Sequence, residues 1–133
     1  MLTLFSLLIG YSAISGVKDG ILWGKKGADS FKWNEHIVFF IERALVGAIP
    51  LCVPFLKPIA ILDSVSLIVC FLMCFSFVHN GFYYECRKRI DVKNYHWFFD
   101  SRSSTAWFEA NVAIRTSMFA VGIIILALSI INK

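Results

Sequence analysis

The sequence lacks the short motifs that identify most enzymes and metal sites. It has no Gly-x-Ser-x-Gly nucleophile, no glycine-rich loop for phosphate and no Ser-His-Asp order of a catalytic triad. It also lacks the Cys-x-x-Cys pairs of zinc sites and the Glu-x-x-His repeat of di-iron bundles. No internal repeat divides the chain. The sequence alone therefore specifies no reaction, and we expect no cofactor and no bound metal.

Charged residues are also scarce. Only 17% of the 133 residues are charged, whereas 58% are hydrophobic, and the mean hydropathy is +0.70. A soluble domain of this size cannot bury so much apolar surface, but a lipid bilayer covers it. The net charge of +4 comes from basic residues between the apolar runs, where they orient a membrane protein and do not suggest nucleic acid.

The first apolar run has no basic residue in front of it. Met1–Ile9 carry no charged side chain, whereas a secretory signal peptide begins with a positively charged region. The basic residues follow this run instead, from Lys18 onward. We therefore expect the run to be retained as a membrane helix.

Apolar runs of sufficient length predict an all-α integral membrane protein, a bundle of four transmembrane helices. The helices are expected at about residues 2–23, 31–56, 59–84 and 106–131. Polar loops are expected at about 24–30 and 85–105, and the whole chain, 1–133, is expected to form one membrane domain.

The distribution of basic residues predicts the orientation. Lys57 and Lys133 lie on the side opposite the two loops, and nine of the thirteen Lys and Arg residues lie in or beside those loops: Lys18, Lys25, Lys26, Lys32, Arg87, Lys88, Arg89, Lys93 and Arg102. The positive-inside rule then places the loops in the cytoplasm and both termini on the non-cytoplasmic side. The host membrane is expected to be a bacterial inner membrane or an organellar membrane.

Polar side chains within the predicted helices are the candidate site residues, because such groups are costly in lipid. Glu42 lies roughly 10 Å inside the membrane if its helix enters near His36 and rises 1.5 Å per residue. The same estimate places eight groups in the cytoplasmic third of the bundle: His36, Glu42, Arg43, His79, Asn80, Glu109, Asn111 and Arg115.

Two interpretations of these eight residues remain open. In the first, the charges pair between helices, for example Arg43 with Glu109 and Glu42 with Arg115, and set the helix register. Glu42 and Arg43 are adjacent, so they should reach different partners. In the second, the residues line a pocket open to the cytoplasm, in which the arginines bind a phosphate or carboxylate headgroup. His79 or Glu109 would then act as an acid or base.

Three functions fit these patterns. The leading hypothesis is a membrane-complex subunit or interaction protein that docks a protein partner or a second copy. The small residues Ala113, Thr116, Ala120 and Ala127 favour it, because they form a stripe on the last helix. The alternatives are a cytoplasmic-face membrane enzyme or anionic lipid-headgroup-binding protein, and a small oligomeric transporter or proton or ion pathway. The sequence does not decide whether the protein is an enzyme.

Overall fold

The computed structural model describes residues 1–26, 33–56, 61–91 and 110–131, and for 26, 33–36 and 56 it describes the backbone alone. Within these ranges the chain forms four helices, numbered in chain order: α1 (Leu2–Lys26), α2 (Trp33–Leu56), α3 (Ile61–Ile90) and α4 (Val112–Ile131). The predicted all-α fold is confirmed for this part of the chain.

Three of these helices are long and apolar enough to cross a membrane. They are α2 over Ile37–Phe55, the whole of α3 and the whole of α4. α1 has 25 residues, but it is not among the three, because charged side chains from Lys18 onward lower its mean hydropathy. By length and composition the structure thus confirms three of the four predicted spans.

Two helices continue into residues that we predicted as loop. α1 extends to Lys26 and α3 extends to Ile90, beyond the predicted ends at 23 and 84. The extension has a packing reason, because Gly24 of α1 lies against the side chain of Ile90. The basic residues 87–89 therefore lie on the last turn of α3 and not in the loop predicted at 85–105.

α4 begins later than the predicted residue 106. Ala110 and Asn111 precede the helix, and Asn111 Oδ1 accepts a hydrogen bond of 2.9 Å from the backbone N–H of Ile114. This is the geometry of an N-cap, in which a side-chain oxygen satisfies a free N–H of the first turn. Residues 106–109 lie outside the described part of the chain.

α3 is the centre of the described assembly. The other three helices each pack along it, α1 approaches α2 at few positions, and in the described ranges the backbone of α4 approaches α3 alone. Gly16 lies against His79 and Gly24 lies against Ile90. Because the residue numbers of both helices rise together, α1 runs parallel to α3.

α2 and α4 run in the opposite direction. Along α4, Phe119 packs on Phe77 with the ring centroids 4.8 Å apart, whereas the later residue Gly122 lies against the earlier residue Cys74. α2 is antiparallel to α3 by the same criterion, as its contacts with His79 and Phe71 show. The first residue of α1 and the last of α4 consequently lie at one end of the assembly.

Glycines allow α1 and α3 to approach closely. Gly16, Gly20 and Gly24 recur every four residues and share one face of α1. A Cβ atom at position 16 would collide with the carbonyl oxygen of His79, and one at position 20 would lie 2.7 Å from Cβ of Cys86. Small residues of this kind let membrane helices pack backbone to backbone, and the contact extends over about two helical turns.

An apolar cluster lies further toward the termini. Phe5 of α1, Leu67, Cys70 and Cys74 of α3, and Leu126 of α4 are buried together. Gly122 of α4 packs closely here, since a Cβ atom at this position would lie 2.8 Å from Sγ of Cys74. The apolar cluster and the glycine contact together fix the rotation of α1, and this rotation sets the direction in which its polar residues point.

We expect Gly16→Ala to destabilise the protein by about 1–3 kcal/mol, the usual range for overpacking, because its methyl group would meet a backbone atom that cannot move aside. Gly10→Ala is the matched control, since nothing lies within 4 Å of a Cβ atom there. The free energy of unfolding of the two variants in the same lipid or detergent decides the matter. Equal stabilities would show that the glycine contact is not important.

Candidate functional site

Charged residues from three helices meet near the basic end of the assembly. α1 contributes Lys18 and Asp19, α2 contributes Glu42 and Arg43, and α3 contributes His79. They meet because α1 runs parallel to α3 while α2 runs antiparallel to both. We call these five residues the charge cluster.

The centre of the charge cluster is a triangle of three atoms. Nη2 of Arg43 lies 2.6 Å from Oδ2 of Asp19, and Nε2 of His79 lies 3.1 Å from the same oxygen. Nη2 and Nε2 are themselves 3.0 Å apart. The side chains of Asp19 and His79 are 7% and 9% exposed, and that of Arg43 is 30% exposed. The buried carboxylate of Asp19 is thus neutralised by the guanidinium group of Arg43, a side chain that is itself partly exposed.

The second pair of the charge cluster is more exposed. Nζ of Lys18 donates to both carboxylate oxygens of Glu42, at 2.7 and 3.0 Å. Both side chains are 39% exposed, so screening weakens this pair relative to the buried one. Adjacent helical residues point in different directions, which places Lys18–Glu42 beside Asp19–Arg43 as a separate contact. The prediction that Glu42 and Arg43 reach different partners is confirmed.

Aromatic rings surround the buried part of the charge cluster. The imidazole of His79 stacks on Phe75 with the ring centroids 5.1 Å apart, and Tyr83 stacks at 6.4 Å. The guanidinium of Arg43 lies 5.3 Å from the centroid of Phe75 and 5.8 Å from that of Phe39, within the range of cation–π attraction. These rings orient the imidazole and guanidinium groups and cover part of the ion pair.

The charge cluster leaves hydrogen-bonding capacity unused. Oδ1 of Asp19 and Nε of Arg43 are buried, and neither has a hydrogen-bond partner within the described ranges. A buried polar atom without a partner costs free energy. Only one carboxylate oxygen of Asp19 therefore makes the contacts that hold the three helices together.

The structure brings together three of the eight predicted site residues: Glu42, Arg43 and His79. Asn80 instead donates from its amide to the carbonyl oxygen of Ser76 at 2.8 Å on its own helix, and Asn111 caps α4. Nε of Arg115 donates to the carbonyl oxygen of Ala110 at 2.6 Å. The other two predicted residues, the side chain of His36 and the whole of Glu109, lie outside what the structure describes.

The ion pairs involve partners that the sequence analysis missed. Arg43 pairs with Asp19 and Glu42 pairs with Lys18. The sequence suggests Arg115 as the partner of Glu42, and Glu109, which lies outside the described residues, as the partner of Arg43. Lys18 and Asp19 were overlooked because they lie near the basic end of the first predicted helix, 2–23, where charged side chains ordinarily reach water. The available signal was the four-residue spacing of the glycines from Gly16 onward. This spacing indicates that the helix continues through these residues and packs closely on another helix.

A second basic residue is held by aromatic rings at the same end. The guanidinium of Arg87 lies 4.0 Å from the ring centroid of Trp23 on α1, and its Nη1 donates to the hydroxyl of Tyr83 at 3.0 Å. Arg87 is only 3% exposed although it belongs to the basic run at the end of α3. It therefore ties the last turns of α1 and α3 together.

No family model, no curated protein and no solved structure matches this chain. Its function must therefore be argued from the arrangement of its own residues.

The composition of the charge cluster limits its chemistry. Lys18 and Arg43 balance Asp19 and Glu42, so the formal charges sum to zero when His79 is neutral. Such a cluster attracts a phosphate or carboxylate headgroup less than isolated arginines would. In the described ranges no group of three or more His, Cys, Asp and Glu side chains is placed to hold a metal ion. The geometry favours pairing between helices over an anion pocket.

We expect Arg43→Gln to cost about 3–5 kcal/mol, because breaking one partner of a buried ion pair leaves the other charge uncompensated. The double variant Asp19→Asn with Arg43→Gln should recover much of this loss, since no buried charge remains. Unfolding measured in bicelles checks both expectations.

Arg89→Gln is the matched control for this experiment. It removes the basic partner of the Arg89–Glu85 pair on α3. The side chain of Arg89 is 79% exposed and that of Glu85 is 37% exposed. Exposed pairs of this spacing contribute only about 0.5 kcal/mol. A double variant that is no more stable than Arg43→Gln would contradict the role of the pair.

Proposed function

We propose that this protein is a subunit or interaction protein of a membrane assembly, and that α4 carries its contact surface. The small residues on the outer side of α4 support this proposal. The charge cluster binds α1, α2 and α3 to one another, whereas α4 packs on α3 with one face. The proposed contact surface is therefore the side of α4 that faces away from α3.

The surface consists of Ala113, Thr116, Ala120 and Ala127, which we call the small-residue stripe. All four residues are exposed. At 3.6 residues per turn the stripe is centred roughly 140° around α4 from Arg115 and Gly122, the residues buried on the α3 side. The stripe consequently faces away from the rest of the described chain.

Small residues are an unusual choice for a surface that faces lipid alone. Other exposed positions of α4 carry large apolar side chains, such as Ile114, Val121 and Leu128. The three alanines recur at seven-residue intervals, the repeat that keeps two supercoiled helices in contact along their length. Interfaces between membrane helices are enriched in small residues because dispersion contacts depend on close approach. The stripe therefore suits a further transmembrane helix.

We also propose that α1 is the fourth span, although its hydropathy is lower than that of the other three helices. Its 25 residues correspond to about 37 Å at 1.5 Å per residue, which exceeds the hydrocarbon thickness. Its charged residues Lys18 and Asp19 are paired with α2, and it packs parallel to α3 from Gly16 to Gly24. Pairing inside the bundle makes its charges tolerable in the membrane.

The orientation that we propose follows from the basic residues. Lys25, Lys88 and Arg89 lie at the same end of the assembly, because α1 and α3 are parallel and end together. This end faces the cytoplasm if the positive-inside rule holds, and both termini face the other side. The membrane would be a bacterial inner membrane or an organellar membrane.

A proton or ion pathway is the second candidate function. The polar residues Ser15 and Ser12 continue along α1 from Asp19 and are 3% and 0% exposed. Beyond them the same face of α1 continues as Leu8 and Phe5, which are buried and apolar. A line of polar groups that ends halfway through the bundle supports a pathway less well than the small-residue stripe supports an interface.

Ala120→Phe should abolish association with the partner helix, because a large ring in the stripe prevents close approach. Val121→Phe is the control: Val121 lies at the same depth and is 45% exposed, but it points about 100° away around the helix. Native mass spectrometry of gently extracted protein reads out the complex. It also identifies the partner as a second copy or a different protein.

The expected result is a complex with the wild type and with Val121→Phe, and loss of that complex with Ala120→Phe. A wild-type protein that is recovered alone, with lipids as its sole companions, would overturn the proposal. So would a complex that survives the change at position 120.

The orientation is tested separately. A reporter fused after Lys133 should behave as non-cytoplasmic, because the basic end of the bundle lies on the opposite side. The same reporter inserted near residue 93, in the connection between α3 and α4, should behave as cytoplasmic. The reverse pattern would invert the proposed orientation while leaving the helix packing unchanged.

A further inference from the structure

The three contacts within the triangle formed by Asp19, Arg43 and His79 cannot all be hydrogen bonds at the same time. Nη2 of Arg43 is always a donor, and Oδ2 of an ionised Asp19 is always an acceptor. Nε2 of His79 lies about equally far from both, at 3.0 and 3.1 Å. If Nε2 carries a proton it donates to Asp19 and faces Arg43 donor to donor. If Nε2 is bare it accepts from Arg43 and faces Asp19 acceptor to acceptor.

A second proton on His79 would change this balance. The imidazolium would keep its hydrogen bond to Asp19 and would place a full positive charge 3.0 Å from Nη2 of Arg43. At that distance two like charges repel strongly in surroundings that exclude water. The formal charge of the charge cluster would rise from zero to plus one. Arg43 is the residue able to leave, since its side chain is 30% exposed.

Departure of Arg43 would affect α2 above all. This helix meets α1 at few positions, and only 11% of its apolar span is buried in the described assembly. In the described ranges, Glu42 and Arg43 form its ion pairs with α1, Arg43 also contacts His79 of α3, and Gly47 packs on Phe71 further along. α2 therefore depends on the charge cluster for its position more than α1 does, because α1 is held by the glycine contact.

We propose that Asp19, Arg43 and His79 form a proton-binding site that controls how tightly α2 docks against α1 and α3. Proton uptake by His79 displaces Arg43 from Asp19, and the first half of α2 loosens. Proton release restores the contact. This proposal does not depend on the interface proposed for α4.

Other charged groups act on the site from every helix packed around it. Lys18 on α1 and Glu42 on α2 form the adjacent pair, and the charge of Arg115 on α4 also acts on His79. The hydroxyl of Tyr11 on α1 lies near Glu42 and Arg43. These groups surround the site whether His79 is neutral or protonated. We therefore attribute the displacement of Arg43 to the added charge on His79.

The test is a pH titration of the full chain in lipid nanodiscs, followed by nuclear magnetic resonance of the histidine ring nitrogens and the α2 amides. The chain has three histidines, so replacing His36 and His96 with Gln leaves His79 as the sole imidazole. As the pH is lowered from about 8 through and below the range in which an ordinary histidine changes charge, His79 should gain a proton. Amide signals from Phe39 to Gly47 should shift with the same midpoint.

Two variants separate this mechanism from a general effect of pH. His79→Gln retains a hydrogen-bonding amide but cannot take up a charge, and it should lose the pH-dependent shift of α2. Glu85→Gln removes only the exposed pair with Arg89 and should leave that shift unchanged. If His79→Gln does not fold, the titration of the chain that keeps His79 still decides.

The proposal is overturned if His79 keeps one protonation state throughout this pH range. It is equally overturned if His79 changes charge while the α2 signals stay still, because Arg43 would then remain docked. An α2 shift that persists in His79→Gln would assign the effect to another group.

Discussion

A carboxylate in the interior of a helical assembly must have a positive partner close by, and Asp19 imposes this requirement on the whole arrangement. Its side chain is 7% exposed, and desolvation of an unpaired charge would cost several kcal/mol. Arg43 meets the requirement from α2, and His79 of α3 contacts the same oxygen atom. Because side chains of α2 and α3 both contact one oxygen atom of α1, the rotation of each helix is constrained by the other two. The apolar surfaces alone would allow many rotations of similar energy, since lipid and leucine are equally apolar.

The glycine contact explains why Asp19 is buried at all. Gly16 and Gly20 flank it in sequence and bring α1 against the backbone of α3. A carboxylate on the same face of α1 is thereby carried into the interior, next to His79. The apolar contact and the ion pair thus support one another. Close approach excludes water and strengthens the pair, while the pair fixes the register in which the glycines meet α3.

Sequence patterns predicted the apolar helices well and the charge cluster only in part. Length and hydropathy are properties of one segment, so three of the spans could be located from composition alone. Glu42, Arg43 and His79 were recognised because any ionisable group within such a segment is exceptional. Asp19 was not, because a charge next to several lysines resembles the end of a helix. Which stripe of α2 faces α1 depends on the rotation of both helices, and no single sequence contains that information without knowledge of their packing.

The unequal attachment of the helices suggests a division of roles within this small protein. α1 and α3 form the rigid pair, since their backbones touch and Arg87 joins their ends through Trp23. α2 is attached chiefly by charges whose strength depends on protonation and on the surrounding dielectric. α4 is attached chiefly by apolar packing, with Gly122 against Cys74, and Sγ of Cys74 also donates to the carbonyl oxygen of Phe119 at 3.8 Å. Its alanines face outward. A change in the charge cluster would therefore reach α2 directly, whereas it would reach α4 only through a shift of α3, which the glycine contact resists.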